Sequence, residues 1–313
     1  AKEQLREAIE YPFTKPEFFR AYKKDPIKGL LLRGAPGCGK TMLVKAGANS
    51  LARIHGKEST LSGFIYIKGP EILQKYVGVS EEIVRSLFHR AKKHREKHGY
   101  PATIFIDEAD AILRRRGSGK SSDVENTIVP AFLAEMDGFE AVHGIVILAT
   151  NRPDTLDGGV TRNGRIDRSI EVPRPDAAAA TTIFKIYCKQ APLLDCTIGE
   201  AAKASIESLF SPRHVLYRIR RTDGTINHFT MAHLVNGAMV KGIVDKASST
   251  AMLRDMKSSR RSNFGVRLAD FEDAVLSTVK DNQAFNHQEE MAEFLGSFKD
   301  EVAGIDKLRQ GEE

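Results

Sequence analysis

The chain has 313 residues, 41% of them apolar and 28% charged, and 47 Lys+Arg against 41 Asp+Glu leave a formal net charge of +6. That balance belongs to a folded globular protein of one large or two modest domains, and it excludes a disordered or fibrous chain. No apolar stretch reaches membrane-span length, no signal-peptide pattern is present, and three scattered cysteines (Cys38, Cys188, Cys196) exclude a disulfide framework and fit a reducing cytosol.

The chain opens at Ala1 inside a helical pattern (Leu5, Ala8, Ile9), so a preceding region is expected. Residues 29–33 are an apolar run that predicts a strand. Gly34-Ala35-Pro36-Gly37-Cys38-Gly39-Lys40-Thr41 follows, then a helical pattern over 40–54. This is G-x-x-x-x-G-K-T between a strand and a helix, the context that a phosphate-binding loop requires. The glycines let consecutive N–H groups face a phosphate chain, and the helix N-terminus adds the positive end of its dipole. Lys40 can reach the outer phosphates, and the Thr41 hydroxyl can ligate magnesium. The chain is expected to bind a nucleoside triphosphate.

Further strands are predicted at 64–68, 102–107, 144–149 and 169–172, alternating with helices at 80–98 and 121–137. Such alternation predicts an α/β fold, a parallel sheet with helices on both faces. After about residue 190 the pattern turns helical, with helices at roughly 199–209, 231–256, 267–284 and 288–309. Two β-prone runs around Asp223-Gly224 interrupt it and predict a hairpin within about 214–229. The expected division is a large nucleotide-binding domain, 1–190, and a small helical lid, 191–313, carrying the β insertion.

The strand at 102–107 ends in Asp107-Glu108. In a parallel sheet, ligands lie beyond the carboxyl ends of the strands. Asp107 can therefore serve a magnesium shell, and Glu108 can orient and polarise a water for attack on the γ-phosphate. The same pair also suits the acidic start of a helix. Asn151, just past the strand at 144–149, can fix the attacking water or report the γ-phosphate; a turn-forming Asn is the plainer alternative.

Arg162 and Arg165 are three apart and project to a similar side. They suit a neighbouring subunit's nucleotide better than their own, which demands head-to-tail contacts that close into a ring. A solvated basic loop or a salt bridge to Asp167 accounts for them as well. His94 and His98, four apart among Lys92, Lys93, Arg95 and Lys97, have a spacing that zinc can use but read as a solvated basic helix end. The modest basic balance reads as solvated faces more readily than as nucleic-acid sites, and it permits a nucleic-acid partner.

In this order the motifs resemble the AAA ATPases, over essentially the whole chain. The resemblance implies ATP and Mg²⁺ as cofactors. Pro36, Gly37, Cys38, Gly39, Lys40, Thr41 and Met42 would hold the nucleotide, with Thr41 and Asp107 at the metal. It also implies Glu108 and Asn151 as catalytic residues and Arg162 and Arg165 as finger arginines. Met136-Asp137-Gly138-Phe139 looks like an intersubunit signalling segment. Asn236-Gly237-Ala238-Met239 is similar to the second sensor, which would bring Gly237 and Ala238 near the adenine and ribose.

Tyr76-Val77-Gly78 is similar to the aromatic pore loop of protein-threading members, and Arg115–Gly119 falls where a second pore loop would be. An aromatic between flexible neighbours can grip any extended chain. IYIKGPEILQKYVG and RGSGKSSDVENTIVPAFLAEMDG resemble the bacterial proteasome-associated ring ATPases. That family implies a cytoplasmic homo-oligomeric ring, expected to be a hexamer. Such a ring unfolds proteins and threads them into a 20S-type proteasome. Residues 307–313 carry no aromatic docking tail of the family's kind, which keeps open a motor that disassembles complexes without a protease. A nucleic-acid-remodelling ATPase is the remaining alternative, and the Tyr76 loop argues against it.

Overall fold

The computed structural model describes residues 1–56, 63–73, 78–115, 123–162, 164–257 and 264–308. The chain forms two compact units, Ala1–Pro173 and Arg174–Glu313. The division falls earlier than the expected 190, because the helix after Pro173 packs with the lid helices. Among the described residues no helix is long and apolar enough to cross a membrane.

The first unit begins with α1 (Lys2–Ile9), α2 (Tyr11–Thr14) and α3 (Pro16–Ala21). Then come β1 (Gly29–Arg33), α4 (Lys40–Ile54), β2 (Phe64–Lys68), α5 (Gly69–Ile72), α6 (Val79–His98) and β3 (Ala102–Asp107). The unit closes with α7 (Asp123–Asp137), β4 (Gly144–Thr150) and β5 (Arg168–Glu171). The five strands form one parallel sheet in the order β2-β3-β4-β1-β5.

Strands covered on both faces read as continuous apolar runs, and β4, GIVILAT, is buried at every position. Alternate residues serve opposite cores. Leu31, Ile104, Ile106, Val146 and Leu148 pack with Val84, Phe88 and Phe132 from α6 and α7. Leu30, Leu32, Phe105, Ile145 and Ile147 pack with Val44 and Leu51 of α4 and Leu5 and Ile9 of α1. Pairing of Arg33 with Thr150, and of Ile106 with Leu148, brings the carboxyl ends of β1, β3 and β4 to one level.

The second unit contains α8 (Ala177–Cys188), α9 (Ile198–Leu209), β6 (Val215–Arg221) and β7 (Ile226–Thr230). It continues with α10 (Gly237–Lys257), α11 (Leu268–Ala284), α12 (Gln288–Leu295) and β8 (Val302–Lys307). The expected hairpin is present as β6 and β7, and its turn is closed by Asp223 Oδ1, which accepts from the Thr225 N–H and hydroxyl.

Two expectations fail in this unit. The helix expected from 231 begins at Gly237, because Met231–His233 is a short 3₁₀ turn and Asn236 Oδ1 accepts the Met239 N–H at the new helix start. The final helix, expected over 288–309, stops at Leu295, where Gly296 takes a positive φ of 40°. Residues 302–307 instead pair antiparallel with β6, making a three-stranded sheet, β7-β6-β8.

Candidate nucleotide site

β1 delivers the chain to Gly34 at φ 150°, pressed so tightly on the residue after β5 that an added Cβ would lie 2.3 Å from the Val172 carbonyl oxygen. The loop turns through Gly37 (φ 75°) and Gly39 (φ 89°), conformations that side chains rarely adopt. α4 starts at Lys40, with Thr41 half-buried behind it and Met42 exposed. Pro36 and Gly37 are exposed at the loop tip, and Cys38 is half-buried.

Lys40 is buried, and its Nζ donates to Gly34 O at 2.7 Å, Ala35 O at 3.0 Å and Asn151 Oδ1 at 2.6 Å. Burial lowers its pKa, opposed by the charges of Cys38, Asp107 and Asp110. All three of these acceptors are neutral, so a desolvated cation sits beside a loop of backbone donors. That is a site that rewards an anion.

Thr41 Oγ1 donates to Asp107 Oδ2 at 2.7 Å, and the Glu108 N–H donates to Asp107 Oδ1 at 3.0 Å. Glu108 is exposed and left-handed (φ 53°), a conformation that costs a non-glycine residue about 1–3 kcal/mol and concentrates at functional sites. Thr41 and Asp107 are hard oxygen donors already within contact of each other, which fits Mg²⁺. Among the described residues no three His, Cys, Asp or Glu side chains form a metal cage.

Lys40, Thr41, Asp107, Glu108 and Asn151 are therefore brought together at the carboxyl ends of the strands. The two arginines differ. Arg162 is exposed, with no ion pair to a described residue. Arg165 is mostly buried; its Nε and Nη2 donate to the two Asp137 carboxylate oxygens at 2.8 Å each, and its Nη1 to Gly159 O at 2.8 Å. The salt bridge expected of this segment thus goes to Asp137, and Asp167 Oδ1 accepts the Gly164 N–H instead.

Gly237 and Ala238 open α10 in the second unit. Gly78 precedes α6 at φ 92°, whereas Tyr76, Val77 and Arg116–Gly119 lie outside the described residues. The His94–His98 reading changes. His94 points into the fold, stacked on His98 at 4.6 Å and edge-on to Tyr100 at 4.6 Å, rather than lying on a solvated helix end. Sequence reasoning passed over Asp110 and Thr150, whose hydrogen bond spans the ends of β3 and β4.

Residues 30–174 match the family described as "ATPase family associated with various cellular activities (AAA)". The chain is 43% identical over 251 residues to a Corynebacterium efficiens protein named "AAA ATPase forming ring-shaped complexes", covering 80% of this chain and 47% of that one. It is 38% identical over 300 residues to the "Proteasome-associated ATPase" of Acidothermus cellulolyticus, covering 90% and 51%. The Salinispora arenicola protein of the same name is 37% identical, with 90% and 50% covered. The chain spans about half the length of these relatives. Residues 30–174, with the phosphate loop, the acidic strand end and Asn151 assembled around Lys40, are an AAA-family domain.

Proposed function

We propose that this chain is the motor portion of a cytoplasmic, Mg²⁺-dependent ATPase ring, a hexamer, that unfolds proteins and threads them through a central pore for proteasomal degradation. The observation that carries the ATPase reading is the buried Lys40 ammonium, held by neutral acceptors between the phosphate loop and Asn151. ATP phosphates would replace those carbonyl partners with the charge that Lys40 lacks. Bound Mg²⁺, ligated by Thr41 and near Asp107, would neutralise developing charge on the phosphate oxygens.

Glu108 accepts a hydrogen bond, and then a proton, from the attacking water. Asn151 orients that water through its side-chain amide. The water oxygen bonds to the γ-phosphorus as the bond to the β–γ bridging oxygen breaks, leaving ADP and phosphate. Pro36, Gly37, Cys38, Gly39 and Met42 shape the loop around the phosphates, and Gly237 and Ala238 serve the base and ribose. Arg162, exposed, is aimed at the nucleotide of the next subunit; Arg165 joins it by giving up its pair with Asp137. Hydrolysis moves Tyr76, Val77 and Gly78 along the pore.

The names of the relatives support a ring and a proteasome partner. The test is ATP turnover with an unfolded polypeptide, and separately with single-stranded DNA, for wild type and Tyr76→Ala, alongside binding to a 20S-type core. Polypeptide stimulation that disappears in Tyr76→Ala is the expected result. Stimulation by DNA, indifferent to Tyr76, overturns the threading reading, and turnover without core binding leaves a protease-independent motor.

A further inference from the structure

We propose that Asp110 and Thr150 are a positioning pair that locks the strand ends carrying Glu108 and Asn151 into one rigid frame for hydrolysis. The inference rests on the ATPase reading above.

Thr150 is the last residue of β4 and is 1% exposed. Its hydroxyl has one proton and two lone pairs. The Arg152 N–H donates to that oxygen at 2.9 Å, so a lone pair is used there. The proton goes to Asp110 Oδ1, at 2.6 Å. That separation is in the range of an O–H donor on an ionised carboxylate, the stronger class of hydrogen bond. Donor and acceptor roles are therefore fixed. Thr150 must give a proton to Asp110, and Asp110 must accept it.

Each end of this bond is rigid and adjoins a residue assigned to the chemistry. Asp110 stands two residues after Glu108, in a 3₁₀ turn closed by Ala111 N–H on Glu108 O at 2.9 Å. The same Glu108 carbonyl is so close to Gly69 that a Cβ there would lie 2.4 Å from it, so β2 and α5 buttress the turn from the other side. Thr150 immediately precedes Asn151, and its hold on Arg152 N–H sets the backbone turn from which Asn151 reaches Lys40.

β3 and β4 are hydrogen-bonded neighbours up to Ile106 and Leu148, but the ladder ends there. Beyond it, Thr150–Asp110 is a side-chain bond between the two tips, placed ahead of the Arg114–Leu156 bridge that rejoins the segments that follow them. Loss of that bond loosens the strained Glu108 turn against the Asn151 tip, and displacement of a reacting group by about 1 Å can cost about 100-fold in rate.

The test uses the assembled wild-type ring and the variants Thr150→Val, Thr150→Ser, Asp110→Ala and the double variant Asp110→Ala/Thr150→Val. Turnover, ATP affinity and thermal midpoint are measured for each. Valine keeps the shape of threonine and removes the donor. The expected result is a fall in kcat of roughly 10–100-fold in Thr150→Val with ATP Kd within about twofold of wild type. Thr150→Ser, which keeps the hydroxyl, recovers most of that loss. The double variant is no slower than Asp110→Ala, because one bond is lost only once. Wild-type kcat in Thr150→Val, losses that multiply in the double variant, or equal losses in kcat and ATP affinity overturn the pair while leaving the ATPase reading in place. An assembled wild-type ring with no ATP turnover overturns that reading and the pair with it.

Discussion

Lys40 Nζ on α4 lies 2.6 Å from Asn151 Oδ1 at the tip of β4, a contact across 111 residues of sequence. The loop that follows β1 and leads to Lys40 lies beside the tip of β4, because β1 pairs with β4. Lys40→Met keeps length and apolar stem but removes the charge. A hydrogen bond to a charged group is worth about 1.5–3 kcal/mol, so ATP affinity should fall roughly 10–100-fold. Thermal midpoints with and without ATP check this. Wild type gains about 2.7 kcal/mol at a ligand concentration of about 100 Kd. An unchanged gain in the variant would remove Lys40 from the site.

Glu108→Gln retains size and hydrogen bonding but cannot take a proton. Nucleotide binding should persist, and turnover should drop by about 10²–10⁴-fold, the range of general-base loss. Single-turnover chemistry in the presence of saturating ATP is the measurement. Rapid hydrolysis by this variant would give the base role to another group.

Arg165 has a pair within the chain and a proposed role in trans, and the two are separable. Within its own subunit it holds Asp137, whose carboxyl it keeps below the usual carboxylate range through hydrogen bonds and charge. Asp137 is more than half exposed, so loss of this pair should lower the thermal midpoint only slightly. Loss of a trans contact to nucleotide should instead abolish turnover, by about 10³-fold or more. Arg165→Ala is expected to do both and to spare ATP affinity. Mixing it with Lys40→Ala subunits should return part of the turnover, since each variant supplies what the other lacks. Mixed rings as silent as either parent would count against donation between subunits.

His94 gives the large unit an acid limit. Burial lowers its pKa from the ordinary 6.5, and the neighbouring His98 lowers it further. The folded chain therefore binds that proton less readily than the unfolded chain. Stability from this source is complete above pH 6.5 and declines as pH falls below 6.5 toward the depressed folded value. His233, in the second unit, is lowered by burial in the same direction. His94→Phe should flatten the decline below pH 6.5 in thermal midpoint measurements. A slope identical to wild type would show that His94 does not titrate with unfolding.

The sheet of the large unit was legible because each strand is an apolar run with both faces covered, a pattern that needs no knowledge of distant partners. The phosphate loop was legible because its glycines and lysine lie within one turn. Readings failed where long-range contacts decide. Met291, Phe294, Phe298, Val302 and Ile305 follow helical spacing, yet Gly296 ends the helix and β6 claims 302–307 as a strand. His94 lies among lysines and arginines in sequence, and only the placement of Tyr100 shows that it faces inward. Asp167 is the local ion partner the sequence offers Arg165, and only α7 brings Asp137 beside it instead. The Thr150–Asp110 bond leaves no local mark, because its partners meet only when two strands are aligned.

A ribosome delivers residues in order, and the two sheets meet that schedule differently. The large unit has its last strand, β5, in hand by Glu171. The small sheet waits, because Arg220 of β6 meets Asp306 of β8 across 86 residues. Until β8 emerges, the nascent β6 presents an unpaired edge that any neighbouring chain can extend. Synthesis thus passes through a stage with the ATP-binding unit folded and the second unit open to capture by holding chaperones or by a sister chain on the same message.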